Sequence, residues 1–148
     1  MAITRVWLYC RVRKQKGAAR LMKGQEARLR QALDPERYAV VGVTHEYGSG
    51  LSSCTGWQRL LEEARNGRMD EVWGLQIHIF GRDWLQILER FRELENHGVA
   101  VRMQDGNGEM TRLPEVLSAF LLWGLQSRIT EDGKTQEEID RESDGFHM

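Results

Sequence analysis

The residues with the most chemical reach lie where apolar runs give way to charge. In Tyr9-Cys10-Arg11-Val12-Arg13-Lys14-Gln15-Lys16-Gly17 a hydrophobic segment ends and a run of cations begins. A strand opening into a loop is where enzymes often place a nucleophile, and here that place holds Arg13. A guanidinium stays protonated and has no oxygen to attack with. A run of cations in such a setting invites an anionic partner. Ser49, Ser52 and Ser53 sit in the loop GSGLSSCTG (48–56) with no assigned base or orienting group, so they read as turn chemistry. Cys10 and Cys54 have basic neighbours that would lower a thiol pKa, but a lone cysteine at a strand end reads first as packing. His45, His78 and His97 show no HxxxH spacing and the cysteines no CxxC, so no metal is expected. His78, when protonated, would still meet a phosphate. The GSG loop lacks GxGxxG and GxxxxGK[ST], so no nucleotide cofactor is expected.

These groups need elements to position them, and the chain alternates two periods. TRVWLYC (4–10), YAVVGVTHEY (38–47), DEVWGLQIHIF (70–80) and VAVRMQ (99–104) read as strands, rich in β-branched and aromatic residues. The unbroken run Ala39–Val43 predicts burial of the second strand on both faces. Between them, Met22, Leu29 and Leu33 form one helical stripe over 18–33, which Asp34-Pro35 stops. Trp57, Leu60, Leu61 and Ala64 form a second stripe ending near Asn66-Gly67. Trp84, Ile87, Leu88, Phe91 and Leu94 form a third, with Asp83 as its cap and Asn96-His97-Gly98 as its stop. DGNGE (105–109) reads as a turn. A last helix, about 114–128, is apolar almost all round, with Leu117, Phe120, Leu121 and Trp123 among its large residues. Such a helix must be covered on more than one side, by a core or by another subunit.

The alternation predicts an α/β fold, a three-layer sandwich on a mainly parallel sheet, with strands near 4–10, 38–46, 70–78 and 99–104. Chemistry in such sheets gathers at the carboxyl ends of the strands. The loops after Cys10, after Glu46 and after Ile77 are therefore the ones to watch. With 148 residues and 41% hydrophobic content, the chain has the length of one domain and the composition of a globular one. No apolar run reaches the ~20 residues of a membrane span, and the N-terminus has no signal-peptide layout, so a cytoplasmic location and no membrane partner are expected. Net charge is only −1, but it is unevenly spread: the basic residues of 1–37 outnumber the acidic ones, and the balance reverses afterwards. The basic front invites an anionic partner; the segment 130–148, acidic with little to bury, is expected to be a flexible tail behind a domain of 1–129.

In those three loops the sequence resembles the catalytic domain of the serine recombinases, the resolvases and invertases. That family reads Tyr-x-Arg-Val-Ser after the first strand, then a Gln, then an acidic residue before a Gly-Ser-Gly type loop and an Arg-Pro-Gly-aromatic segment. Its third strand leads into Asp-Arg-Leu-Gly-Arg. The matches are Tyr9-Cys10-Arg11-Val12, Gln25, Glu46 with Gly48-Ser49-Gly50, Gly56-Trp57 through Leu60-Leu61, and Phe80-Gly81-Arg82-Asp83, spanning roughly 4–129 in order. The resemblance implies a resolvase-like fold of flavodoxin-like topology, DNA as the partner, dimerisation through the last helix and no cofactor. It also implies a serine that attacks a DNA phosphodiester while arginines stabilise the transition state.

The departures fall on that chemistry. Arg13 stands at the serine position, Cys54 at the arginine of Arg-Pro-Gly, His78-Ile79 at the Asp-Arg pair and Gly124-Leu125 at a Glu-Arg pair of the last helix. The expectation is a retired active site with no catalytic residue. Arg11, Arg13, Lys14, Lys16 and Arg82 would hold DNA phosphates, supported by Gln25 and Ser49. The last helix would pair the chain with a second copy or with a recombinase subunit. The expected role is accessory or regulatory in DNA recombination or mobile-element biology. Two alternatives stand beside it: an active recombinase or nuclease with a relocated nucleophile, and a protein-interaction scaffold that never touches DNA. The acidic tail carries no helix-turn-helix pattern for reading a DNA site.

Overall fold

The computed structural model of the chain describes residues 2–48 and 55–112. The elements follow as β1 (Thr4–Val12), α1 (Ala18–Gln31), β2 (Tyr38–Tyr47), α2 (Thr55–Arg65), β3 (Glu71–Gly74), a 3₁₀ turn (Ile77–Phe80), α3 (Trp84–Asn96), β4 (Ala100–Gln104) and β5 (Met110–Arg112). The described strands form one sheet in the order β2-β1-β3-β4-β5, parallel except for β5. That is the expected α/β fold with its flavodoxin-like order. β5 was not expected from the sequence: it is three residues long and returns antiparallel from the turn at 105–109. Asp105 closes that turn by accepting from the Glu109 and Asn107 amides and the Thr111 hydroxyl, bonds that hold its carboxyl below the ordinary range.

Alternation along β1 builds the layers. Val6, Leu8, Cys10 and Val12 meet Met22 and Leu29 of α1, with Leu33 packed at the margin. The opposite face of β1 sends Tyr9 against Trp57 of α2 and Phe80, and Phe80 meets Phe91 of α3. α1 therefore covers one face of the sheet, and α2 and α3 the other.

The helix ends follow the sequence signals. Asp83 caps α3 by accepting from the Gln86 amide, and Gly67 and Gly98 turn in the left-handed region after α2 and α3. Trp84, placed on the buried stripe by its spacing, is instead exposed in the first turn of α3. At the first turn the helix stands at the rim of the sheet, so the periodic stripe overruns the core there.

Two strand readings need correction. The third strand stops at Gly74, not near residue 78, and residues 77–80 form a 3₁₀ turn. The chain folds back so closely that a Cβ on Gly74 would lie 2.5 Å from Phe80 and 2.7 Å from Ile79. The apolar run continues because its second half packs on its first. β2 is likewise an edge strand among the described residues, and only Thr44 along it is fully buried. A bulge skips Val41 between the Val6–Val40 and Trp7–Gly42 pairs, leaving Val41 42% exposed. The indole of Trp7 lies over Gly42 and donates to Thr44 Oγ1 at 2.8 Å.

No helix of the described residues is long and apolar enough to cross a membrane. The last helix and the proposed tail boundary lie outside the described residues, as do Ser49, Ser52, Ser53 and Cys54.

Candidate functional site: an arginine-lined cleft

β1 outruns β3. The β1–β3 ladder ends at Leu8–Trp73, while the β1–β2 ladder continues to Val12–Tyr47. At the carboxyl end of β1 one backbone edge is therefore left open, at the point where the strand order reverses. Gln25, on α1, fills part of that edge. Its Nε2 donates to the Arg11 carbonyl at 2.8 Å, and its Oε1 accepts from the Arg11 amide at 3.1 Å. One side-chain amide thus replaces the missing strand for Arg11.

Beside it opens a cleft of about 740 Å³. Its walls come from the end of β1 (Arg11, Val12, Arg13, Gln15), one face of α1 (Arg20, Leu21, Gly24, Gln25, Arg28), Gly48, and the segment after β3 (Leu75, His78, Ile79, Gly81, Arg82). Five arginines and a histidine line it, and no carboxylate does among the described residues. Outside the cleft the arginines are mixed: Arg37, Arg59, Arg92 and Arg112 hold no carboxylate among the described residues, whereas five others do. Arg5, Arg30, Arg65, Arg68 and Arg102 each hold an acidic side chain. Arg11, Arg13, Arg20 and Arg28 have no such partner among the described residues; Arg11 Nη1 reaches the Ile79 carbonyl at 3.4 Å and Arg28 Nη2 the neutral Gln104 at 2.7 Å. Arg82 makes a long contact of 3.4 Å with its neighbour Asp83. Unneutralised cations around a concave surface focus field and gather anions.

Of the residues singled out from the sequence, the cleft brings together Arg11, Arg13, Gln25 and Arg82. Lys14 and Lys16 are exposed on the same loop but do not line it. Ser49 and the helix residues Leu117, Phe120, Leu121 and Trp123 lie outside the described residues. His78 lines the cleft, while Ile79 is buried with its carbonyl toward Arg11. Cys10 is fully buried, and burial pushes its thiol up to about 12, so it is packing rather than a reagent. Glu46 accepts from the Trp57 amide at 2.7 Å, tying the end of β2 to the first turn of α2.

Three residues escaped the sequence reading. Arg20 and Arg28 flank Gly24 at four-residue steps on α1, a spacing visible in the sequence but hidden by the charges around it. Arg90 is buried at 8% exposure, donates to the Phe80 carbonyl at 2.8 Å and lies 4.7 Å over the Trp57 ring. It braces α2 and α3 against the turn that delivers Gly81 and Arg82. Nothing in its sequence context separates it from a solvated helix face.

Residues 6–134 match the family model described as the N-terminal domain of resolvases, and the chain belongs to that family. Comparison with curated proteins gives no match. Among solved structures, the chain is similar to a resolvase family site-specific recombinase from Streptococcus pneumoniae, at 17% identity and TM-score 0.67 over 95% of this chain and 98% of that one. It is similar to the N-terminal catalytic domain of TP901-1 integrase, at 17% identity and TM-score 0.64 over 86% and 99% of the two chains. It also resembles the C-terminal catalytic domain of ISC1926 TnpA, an IS607-like serine recombinase, at 20% identity and TM-score 0.61 over 67% and 69%. The shared fold places the cleft at the carboxyl edge of a serine-recombinase-like sheet.

Proposed function

We propose that this chain is a non-cutting member of its family, which holds DNA phosphates in the arginine-lined cleft and serves an accessory or regulatory role in recombination or mobile-element biology. The observation that carries this is the unneutralised set of arginines around Arg13. Where the resemblance expects a hydroxyl, a guanidinium stands. Among the described residues the cleft lining offers no hydroxyl, thiol or carboxylate. Holding a phosphodiester needs directed cations; cutting it through a covalent intermediate needs a nucleophile as well. The partner in this reading is a second copy or an active recombinase subunit, engaged through residues 114–128, whose sequence is apolar over nearly the whole helix circumference.

The test is fluorescence anisotropy of the purified protein on duplex DNA across a salt series, run beside incubation with supercoiled plasmid. Binding whose log K falls steeply with log salt, with no covalent protein–DNA adduct, is the expected result. No binding at ~50 mM salt removes the DNA reading. Adducts that disappear on Ser49→Ala would replace it with a relocated nucleophile. Mixing with a related active recombinase and finding only homodimers would remove the mixed-subunit partner.

A further inference from the structure

Among the described residues nothing requires glycine at position 24. It sits in the middle of α1, where glycine weakens a helix relative to alanine. Its φ is not in the left-handed region, and an added Cβ would meet nothing within 4 Å. Neither its backbone conformation nor packing among the described residues accounts for it. What it does is leave the floor of the cleft bare between Arg20 and Arg28, one turn to either side on the same face. A glycine in such a place permits close approach of something outside the chain.

Building on the phosphate-binding reading, we infer that this face of α1 is a second arm of the site: a track in which Arg20 and Arg28 take two separate phosphates of one nucleic-acid strand as its backbone passes over Gly24. The two arginines are eight residues apart, a rise of ~12 Å along the helix. A strand with phosphates at ~3.4 Å axial spacing offers each guanidinium a phosphate of its own, about three to four steps apart. Neither guanidinium has a carboxylate partner among the described residues, and Gln104 steadies Arg28 without neutralising it. The other side of the helix behaves differently: there Glu26 holds Arg30 at 2.7 Å and His45 at 2.6 Å. Glu26 thus neutralises Arg30 away from the cleft, while Arg20 and Arg28 within it hold no carboxylate among the described residues.

The experiment compares salt slopes of duplex DNA binding for four proteins: wild type, R20Q/R28Q, K23Q and G24L. All four positions are exposed, and circular dichroism with thermal melts checks folding. R20Q/R28Q is expected to lower the slope by ~1.8, the loss of two phosphate contacts. Lys23, which does not line the cleft, serves as the control for general attraction and is expected to leave the slope nearly unchanged. G24L separates binding from stability: it is expected to raise the melting temperature by ~3 °C through better helix propensity, while weakening DNA binding about tenfold. An R20Q/R28Q slope equal to wild type, a K23Q loss equal to half that of R20Q/R28Q, or a G24L protein that binds as wild type would each overturn the α1 track while leaving the cleft's phosphate reading intact. Tighter binding to inorganic polyphosphate than to duplex of equal phosphate count would also overturn it, by taking the nucleic acid out of the recognition. Wild type failing to bind at low salt would remove both.

Discussion

Gln25→Leu isolates what holds the carboxyl end of β1 in place. Leucine keeps much of the glutamine's bulk and nearly its helix propensity, and it removes both polar atoms. In the structure those atoms make the two bonds to the peptide of Arg11, at 2.8 and 3.1 Å. Each such bond contributes ~1 kcal/mol net, so the variant should lose ~2 kcal/mol. The cleft is open to water, which limits the cost of the orphaned amide and carbonyl to about that value. Urea unfolding should register a midpoint lower by roughly 1 M, for a slope near ~2 kcal/mol per molar. Amide hydrogen exchange localises the effect: without its acceptor the Arg11 amide should lose protection well beyond the ~30-fold that a global loss of ~2 kcal/mol gives. Amides of β1 that pair with β3, such as those near Leu8, should show only the global change. DNA affinity should fall as well, because Arg11 loses its fixed launch point. An unchanged urea midpoint together with unchanged Arg11 exchange would refute the claim that this side chain substitutes for a strand.

Other perturbations read other parts of the scaffold. Gly42→Ala would set a Cβ 2.1 Å from the Trp7 ring and force the indole off Thr44, so a loss of roughly 2–4 kcal/mol is expected in urea unfolding. The Asp70 carboxyl is held below the ordinary range by the side-chain hydrogen bond from Arg5, aided by the Arg5 amide. Its contribution is complete above the unfolded value of ~3.9 and is lost as pH falls through the lower folded value. Asp70→Asn should therefore melt below wild type at pH 7, with the gap narrowing as pH falls below the unfolded value. Cys10, with its thiol at about 12, carries almost no thiolate at neutral pH. In a Cys54→Ala background, a thiol reagent at pH 8 should label the chain only once denaturant opens it; rapid labelling of the folded protein would show the strand end to be accessible.

The order of elements was legible because the physics behind it is local. Asp83, Gly67 and Gly98 mark helix ends through cap and turn chemistry, and β-branched runs mark β1, β2 and β4. Where the reading slipped, a tertiary contact decided the outcome. GLQIHIF has strand-like composition throughout, and only the collapse of Ile79 and Phe80 onto Gly74 ends the strand early. The Ala39–Val43 run looked doubly buried, but a bulge at Val41 turned its alternation, and its place in the sheet left it at an edge. The site was half legible in the same sense. Arg11, Arg13, Gln25 and Arg82 stand in the segments of the resemblance. Arg20 and Arg28 became visible only when α1 was laid beside the strand ends, because in sequence they are two charges among ten. Arg90 required the burial itself.

The parts that were kept and the parts that were exchanged divide along a physical line. Residues that shape the edge of the sheet remain at their matching positions: Gln25 on Arg11, Glu46 on the first turn of α2, and the Gly81-Arg82-Asp83 segment with its cap. On the positions the resemblance implies, replacement falls on the attacking hydroxyl and on arginines that would stabilise transition-state charge. Arginine at position 13 and isoleucine at position 79 supply no attacking oxygen and no second guanidinium at the turn. A cleft that had merely decayed would be expected to gather neutral or acidic side chains, since a group of like charges with no ligand repels itself and destabilises the fold. Here the opposite holds: five arginines crowd the cleft, four of them without a carboxylate partner among the described residues, while the arginines paired elsewhere show that acids are readily placed when neutralisation suffices. Maintaining that repulsion is consistent with an anion that relieves it. The steepness of the salt dependence on DNA is therefore the quantity on which the reading stands, because it counts how many of those charges the anion meets.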